Sequence, residues 1–360
     1  MYCLLDRYIG KTVFYNMIII LFILISLSSV IKFVDELRKI GQGHYGAWEA
    51  WCYVCLDILK DVERFLPMAV LLGTLLGLGI FSTRNELIVM EIFGFSRLQM
   101  VSSLMKIACP VIIFGFIINE YGSPVSERVA QGYRYKMIHN VSIRSEYNNV
   151  WIKDGYNFIR IEKIFGDHVL SGIHIYHFDN KKSLKSYRYV TYAKFVNNSW
   201  DLLDVYEIIF NDFRKVFEKS YTNGIWVTVL TPHYLSIIIK SIYHSTALSI
   251  FDVYGCIQYF RKSGQNISQY QLFFWKKVLF PISMIVMMLV ALSCVLRSLL
   301  HKLHIGVHIL IGVIYSFFFY ILNEVISALS LVYSIMPIIG AVLPTMVFLI
   351  FSMVQLYRLR

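Results

Sequence analysis

The sequence contains two short patterns that resemble reactive sites, and neither has the context that its chemistry needs. Gly10-Lys11-Thr12 resembles the end of a phosphate-binding loop, but such a loop requires a glycine five positions before its last one, where this chain has Leu5. Cys52 and Cys55 have redox-motif spacing but lack the strand and helix pattern that surrounds one. We therefore expect Lys11 to anchor a helix at a membrane interface and the cysteines to pack as ordinary side chains.

Histidines are the remaining candidates for metal binding. His174 and His177 form one pair, and His301, His304 and His308 form a second group. Neither set has carboxylate or thiol companions at spacings familiar from metal sites. We also find no nucleophile or metal-binding pattern at the end of an apolar segment, as a membrane-embedded enzyme would need. The sequence therefore predicts no metal, no cofactor and no catalytic activity of its own.

Four charged residues follow the first long apolar run, and we call them the charge cluster: Lys32, Asp35, Arg38 and Lys39. Their spacing of i, i+3, i+6 and i+7 would place the three cations on roughly one face of a helix. Such a face would attract an anionic headgroup. The alternative is a solvated helix end with Lys32 extending to the membrane interface.

The composition indicates a membrane protein. Hydrophobic residues make up 57% of the chain and charged residues 16%, against roughly 25% charged in ordinary soluble domains. The net charge of +11 is spread among apolar runs without the basic, aromatic stripe of a nucleic-acid site, so we expect no nucleic-acid partner. None of the six cysteines lies in the polar stretch 123–249, which argues against a disulfide framework.

Six segments approach the length of about 20 mostly apolar residues that a membrane-spanning helix needs. They are 13–33, 65–81, 98–119, 278–296, 305–323 and 338–357. Pro337 is expected to separate the fifth span from the sixth. In the second span, Gly73 and Gly77 either allow another helix backbone to approach closely or are incidental.

Positive charges in the short connecting segments predict the orientation, because Lys and Arg are enriched on the cytoplasmic side. They lie before the first span, between the second and third, between the fourth and fifth, and after the sixth: Arg7, Lys11, Arg84, Arg97, Arg297, Lys302, Arg358 and Arg360. Both termini are therefore expected in the cytoplasm. The long segment between the third and fourth spans is expected outside it.

That long segment has the aromatic, β-branched composition of short strands. Four runs carry the pattern: 157–162, 172–178, 189–195 and 225–229. We expect them to form a sheet sandwich or barrel. After them, Ser249 and Asp252 have capping-box spacing, which predicts a helix through Arg261 that stops at Gly264.

Three plus three spans around a central β domain resemble the LptF/LptG family of lipopolysaccharide export permeases. The matching strings are Leu5-Asp-Arg-Tyr-Ile-Gly-Lys-Thr12, Ile31-Lys-Phe-Val-Asp35, Pro67-Met-Ala69, Leu71-Leu-Gly73, Gly77-Leu-Gly79, Gly94-Phe95, Ser263-Gly-Gln265, Tyr270-Gln271 and Pro337-Ile-Ile-Gly-Ala341. The resemblance runs from end to end. It is strongest in the first 100 residues and weakest in the β domain.

The resemblance implies a polytopic α-helical membrane protein with six transmembrane helices, arranged 3+3, and an inserted periplasmic β-jellyroll-like domain. Residues 1–122 would hold helices one to three with a cytoplasmic coupling helix near 84–93. Residues 123–248 would form the periplasmic domain, and 249–360 a connecting helix with helices four to six. The expected location is the bacterial inner membrane.

The resemblance also implies a function and a set of partners. The chain would be a non-catalytic permease subunit that extracts lipopolysaccharide from the outer leaflet of the inner membrane and passes it to a periplasmic bridge, driven by ATP hydrolysis in a partner. Implied partners are an LptF-like permease, an LptB-like ATPase dimer, an LptC-like bitopic protein and an LptA-like bridge. Alternatives are a permease of another ABC-type lipid or lipoprotein extraction system, a membrane-embedded lipid-modifying enzyme, and a secondary transporter.

For substrate binding, the resemblance implies that the cations of the charge cluster contact the phosphates of lipid A. Arg134 would add a second phosphate contact or be an ordinary surface arginine. Apolar side chains on the second and fifth spans are candidate walls of a cavity for acyl chains, or else ordinary packing: Phe65, Leu66, Met68, Phe317, Phe319 and Leu322.

For coupling to the ATPase, a short helix is predicted between the second and third spans. Thr83 and Glu86 have capping-box spacing, so the helix should start near Arg84, and Gly94 is a candidate to end it. The family's coupling helix places a glutamate in the LptB groove, which implies that role for Glu86. The flanking contacts would be Arg84, Phe95 and Arg97. The alternative is that Glu86 only caps the helix.

Overall fold

The computed structural model describes residues 4–93, 97–139, 148–165, 169–180, 183–196, 199–210, 216–228, 230–243, 248–298 and 305–358. The chain divides into two compact units, and each is described by itself. The transmembrane unit lies within residues 1–41, 45–131 and 271–360. The β unit lies within residues 42–44 and 132–270.

The helices that make up or border the transmembrane unit are α1 (Leu4–Leu37), α2 (Ala47–Leu56), α3 (Ile58–Thr83), α4 (Glu86–Ile92), α5 (Arg97–Ile117), a π-helical turn (Ile118–Gly122), α6 (Ser123–His139), α9 (Ser268–Ser298), α10 (Ile305–Val332) and α11 (Pro337–Arg358). Among the described residues, six helical segments are long and apolar enough to cross a membrane, which confirms the six predicted spans. Pro337 is the first residue of α11, where its missing N–H has no intrahelical role.

The helix that contains the third span is longer than the predicted span. Helical structure continues past the expected end at Asn119, through the π-helical turn into α6. A π-helix changes the backbone hydrogen-bond pattern, so its carbonyls can accept other donors. The Lys277 ammonium of α9 donates to the Asn119 backbone carbonyl at 2.8 Å and to its side-chain oxygen at 2.9 Å. This contact ties α9 to the turn.

Close packing of α1 on α3 uses the two glycines that the sequence singled out. A Cβ atom added at Gly73 would lie 2.5 Å from the Met17 Cα, and one at Gly77 would lie 2.9 Å from the Val13 Cα. Only residues without a Cβ allow the α1 backbone to come this near. The close-approach interpretation of this spacing is therefore confirmed.

The β unit is built on one antiparallel sheet whose strands neighbour each other in chain order. They are β1 (Asn148–Asp154), β2 (Asn157–Phe165), β3 (Val169–Phe178), β4 (Leu184–Val196), β5 (Ser199–Phe210) and β6 (Val216–Trp226). Three of the four predicted runs lie within β2, β3 and β4, and the fourth overlaps the end of β6. An inserted antiparallel β domain is thus confirmed.

Along one line across the sheet, which we call the crease, the alternation of buried and exposed side chains shifts by one residue in each of the strands β2 to β5. In β3 the buried side chain of Leu170 is followed by that of Ile173, three positions on, and in β5 Leu202 is followed by Val205. The same step separates Ile161 from Ile164 in β2 and Val190 from Ala193 in β4. These residues form two neighbouring rows across the sheet. Gly172 (φ +65°) and Asp204 (φ 53°) lie between the rows and allow the backbone to change its buried side.

Two helices complete the β unit, α7 (Pro232–Tyr243) and α8 (Ile250–Lys262). The Ser249 hydroxyl accepts from the Asp252 amide at 3.1 Å, and Gly264 adopts φ +66° after the helix end, so the predicted start and stop are confirmed. The buried Tyr259 hydroxyl donates to the Lys153 carbonyl at 3.0 Å. Burial raises the pKa of Tyr259, so this hydroxyl stays a hydrogen-bond donor even at an alkaline pH that ionises an exposed tyrosine.

Candidate functional sites

The charge cluster spans the C-terminal end of α1 rather than one helical face. Helix α1 ends at Leu37, and the next residues form a tight turn in which the Lys39 amide donates to the Glu36 carbonyl at 3.0 Å. The prediction that three cations share one helical face is therefore wrong. Lys32 lies on the helix, whereas Arg38 and Lys39 lie in the turn.

Lys32 bridges two acidic residues at the start of α3. Its ammonium contacts Asp57, and it lies 2.7 Å from an Asp61 oxygen. The Ser28 hydroxyl donates to the other Asp61 oxygen at 3.2 Å. The two aspartate side chains are 5% and 2% exposed, and the lysine side chain is 25% exposed. The lysine therefore has counter-ions within its own chain.

Lys39 also has an internal counter-ion. Its ammonium lies 2.7 Å from an oxygen of the buried Glu36, whose other oxygen accepts from the Tyr45 hydroxyl at 3.0 Å. Arg38 and Asp35 are exposed, and we find no ion pair for Arg38 within the described ranges. Among the cluster cations, Arg38 is thus the most accessible to an external anion.

The remaining substrate-binding candidates fall into three kinds of environment. Arg134 is half-buried on α6 and belongs to the β unit. Leu66 and Phe319 belong to the buried core, with Leu322 packed against it, while Phe65 and Met68 are half-buried. Phe317 is 63% exposed. Within this chain, packing accounts for Leu66 and Phe319, and Phe317 is the candidate with most free surface.

The predicted coupling helix forms as α4, but its capping differs from the prediction. Thr83 is the last residue of α3, and its hydroxyl donates to the Ile80 carbonyl at 3.0 Å, so the Thr83 capping box is wrong. Asn85 instead precedes the helix with φ 55°, and its carbonyl accepts from the Val89 amide. Two residues therefore separate α3 from α4, Arg84 and the left-handed Asn85.

Glu86 is held at the start of α4 by two neighbours. The Tyr8 hydroxyl of α1 donates to one oxygen at 3.2 Å, and an Arg84 nitrogen lies 3.9 Å from the other. The Glu86 side chain is 30% exposed. Phe95 lies outside the described residues, and Arg97 starts α5 without a described side-chain position.

Helix α4 presents an apolar surface to its surroundings. Leu87 and Met90 are buried in the transmembrane core, whereas Val89, Ile92 and Phe93 are exposed, the last two at 77% and 86%. Exposed large apolar residues at i, i+3 and i+4 form a contiguous patch, and such a patch is a typical protein-interaction surface. We call these three residues the α4 patch.

Comparison with known proteins identifies the family. The family model for the lipopolysaccharide export system permease LptF/LptG matches residues 7–358. Lipopolysaccharide export system permease protein LptG from Escherichia coli K12 is 42% identical over 356 residues, 98% of each chain. The protein of the same name from Haemophilus influenzae is 37% identical over 349 residues, 96% of each chain. The chain belongs to the LptF/LptG family.

Family membership agrees with the architecture. Six apolar helices with an inserted antiparallel sheet are the fold expected for an LptF/LptG permease, and the chain is a multi-pass inner-membrane protein and a component of a transport system. The comparisons support lipopolysaccharide export and give no support to the alternative lipid or lipoprotein systems. In the described ranges, no three His, Cys, Asp or Glu residues are grouped to hold a metal ion.

Sequence reasoning missed the acidic partners of this LptF/LptG permease. Asp57 and Asp61 escaped notice because they precede the second predicted span by several residues. Their i, i+4 spacing beside an apolar run was the available signal, since two carboxylates on one helical face at a membrane boundary need a cation. Tyr8, the partner of Glu86, has no such signal, because its contact joins residues 78 positions apart.

Proposed function

We propose that the chain is the LptG-type permease subunit of a lipopolysaccharide exporter, without ATPase activity of its own. It extracts lipopolysaccharide from the outer leaflet of the inner membrane and passes it toward a periplasmic bridge. The observation that carries this proposal is the match to LptG relatives over nearly the whole chain.

In this proposal both termini are cytoplasmic and the β unit is periplasmic, as the distribution of short-loop cations supports. The charge cluster then lies at the outer end of α1, level with the headgroups of the outer leaflet. Arg38 is exposed there, with Lys32 and Lys39 beside it. Guanidinium and ammonium groups are suited to bind the phosphates of lipid A.

On the cytoplasmic side, α4 docks into a groove of the partner ATPase. The α4 patch supplies apolar contact area, and Glu86 supplies a charge that Tyr8 and Arg84 hold in place. A seven-residue helix is too short to be stable alone, and α4 is held to the core by the packing of Leu87 and Met90. Force that the ATPase exerts on α4 is therefore transmitted to the core through these two side chains. The assembled exporter contains an LptF-like permease, two LptB-like ATPase subunits, an LptC-like bitopic protein and an LptA-like bridge.

The test of this proposal is depletion of the chain in its own cell, followed by separation of the inner and outer membranes. We expect newly made lipopolysaccharide to accumulate in the inner membrane, and the tagged chain to co-purify with an ATPase and a second permease. Normal delivery to the outer membrane after depletion would refute the function. Phospholipid and lipoprotein distribution serve as controls for general envelope damage.

A further inference from the structure

We propose that Asp57 and Asp61 are positioning residues that form a counter-ion latch: they hold Lys32 until the anionic, phosphate-bearing headgroup of the substrate displaces them. This inference rests on the proposed headgroup site at the end of α1. It assigns a role to two residues that do not themselves touch the substrate.

The two carboxylates that face Lys32 carry more negative charge than its single ammonium can neutralise. One ammonium faces two carboxylates, so the group carries a formal charge of −1. Both carboxylates are nearly buried, and the Ser28 hydroxyl fixes the orientation of the Asp61 carboxylate. A headgroup phosphate that approaches Lys32 therefore meets net repulsion until the lysine leaves its partners.

Lys32 is the movable member of this group. Its side chain is 25% exposed and has a flexible four-carbon stem, whereas the aspartates are short and lie where α2 meets α3. Lys39 has a simpler pairing of the same kind, since its partly exposed side chain is paired with one buried acid, Glu36. A cation that is already paired with a buried acid would bind a phosphate only weakly. Weak binding allows the phosphate to be released, and a transporter must release its substrate.

The latch also joins two helices. Lys32 belongs to α1, and both aspartates lie at the start of α3, so transfer of Lys32 to a headgroup removes the ionic contact between these helix ends. Because the carboxylates and the headgroup compete for the same ammonium, a stronger latch lowers the fraction of Lys32 available and so weakens headgroup binding. Removing one carboxylate should therefore strengthen headgroup binding, whereas a purely structural ion pair predicts no gain.

The experiment measures photocrosslinking of bisphosphorylated lipid A, and of the same lipid without phosphates, to the full exporter complex in phosphatidylcholine nanodiscs. A photoreactive residue replaces the exposed Val34. We expect Asp57→Asn to raise the apparent affinity for the bisphosphorylated lipid about fivefold, the upper range for one partly exposed ion pair. The dephosphorylated lipid should show no change, and Asp57→Glu, which keeps the charge, should behave as wild type.

Two controls separate the latch from the headgroup site itself. Asp6→Asn removes a buried carboxylate from Lys106 on α5 and should leave crosslinking unchanged. Lys32→Gln is combined with Asp61→Asn, because the single change would leave two buried acids without a counter-ion. This double variant should lower crosslinking, and Arg38→Gln should also lower it. If both lower it while Asp57→Asn gives no gain, the latch is refuted and the headgroup site stands. If neither lowers it, the headgroup site and the latch both fail.

Discussion

At the scale of single residues, the sequence offered two roles for Glu86, coupling to the ATPase and capping of α4, and the contacts of its side chain bear on the choice between them. The capping alternative required Thr83 as helix cap, and the Thr83 hydroxyl is instead bound to Ile80 at the end of α3. Glu86 faces Tyr8 and Arg84, so its carboxylate is positioned by another helix as well as by its own segment. This favours a role for its charge over a role in capping.

Substitution of Glu86 by Gln tests that role. The amide oxygen of Gln can still accept from Tyr8, so the protein should remain folded, but the loss of charge should lower lipid-stimulated ATPase activity of the complex roughly tenfold, the effect of losing one charged hydrogen bond. Thr83→Ala removes a hydroxyl that caps no α4 amide and should behave as wild type. Wild-type activity of Glu86→Gln with a damaged Thr83→Ala would contradict the assignment.

The charge cluster shows what a residue pattern leaves undetermined. The spacing placed three cations together, and the structure places all three near the end of α1. The spacing could not reveal that Asp57 and Asp61 pair with Lys32 and that Glu36 pairs with Lys39. These ion pairs depend on how α1 packs on α3 and on the turn after α1. Local sequence predicts which charges are present, and tertiary packing decides which remain available.

At the scale of elements, the spans were predictable because about 20 apolar residues admit few structures other than a spanning helix. The strands were predicted from composition, but the crease was not. A reading by simple alternation would place Leu170 and Ile173 on opposite faces, whereas Gly172 brings both to the buried side. The helical continuation into α6 was also missed, since its polar sequence resembles a loop.

The glycine contact between α1 and α3 gives a prediction at this scale. Gly73→Val would place its Cβ 2.5 Å from the Met17 Cα, against backbone that cannot move aside without separating the helices. Overpacking of this kind costs about 1–3 kcal/mol, so the purified protein should lose several degrees of thermal stability in detergent. Gly132→Val on α6 is the matched control, because nothing lies within 4 Å of its added Cβ. Equal stability of the two variants would refute the contact.

The α4 patch gives a second prediction. Ile92→Ser removes exposed apolar surface without touching the core, and burial of such a side chain contributes about 1.5–3 kcal/mol. Binding of the partner ATPase to the permease complex should therefore weaken at least tenfold in a pull-down titration. Ile225→Ser on β6, at 73% exposure, is the matched control and should bind normally. Equal binding by both variants would exclude α4 as the docking surface.

At the scale of the whole molecule, we expect the chain to depend on partners for energy. Its candidate phosphate-binding loop at Gly10-Lys11-Thr12 fails, since Leu5 occupies the position where that loop needs its first glycine. The purified chain alone should therefore hydrolyse no ATP, and addition of the partner ATPase should restore hydrolysis to the assembled complex. ATP turnover that follows the isolated chain through every purification step would contradict this account.

The large exposed faces of α1 and α10 also belong to the whole molecule. Both helices leave bulky apolar side chains uncovered along their length, including Phe22 and Phe317. Such faces suit contact with lipid or with a second permease.

The most direct test of the central claim is a photocrosslinking scan along α1 in living cells. Photoreactive residues at the exposed positions Ile31 and Val34 flank the charge cluster, and those at Tyr15 and Ile18 lie nearer the other end of the helix. We expect lipopolysaccharide adducts at the first two positions and none at the last two. The variant Lys32→Gln, Arg38→Gln, Asp61→Asn, in which the last change avoids two buried and unpaired acids, should lose the adducts while the complex still assembles. Adducts that persist in this variant, or that form equally at all four positions, would contradict headgroup capture at this end of α1.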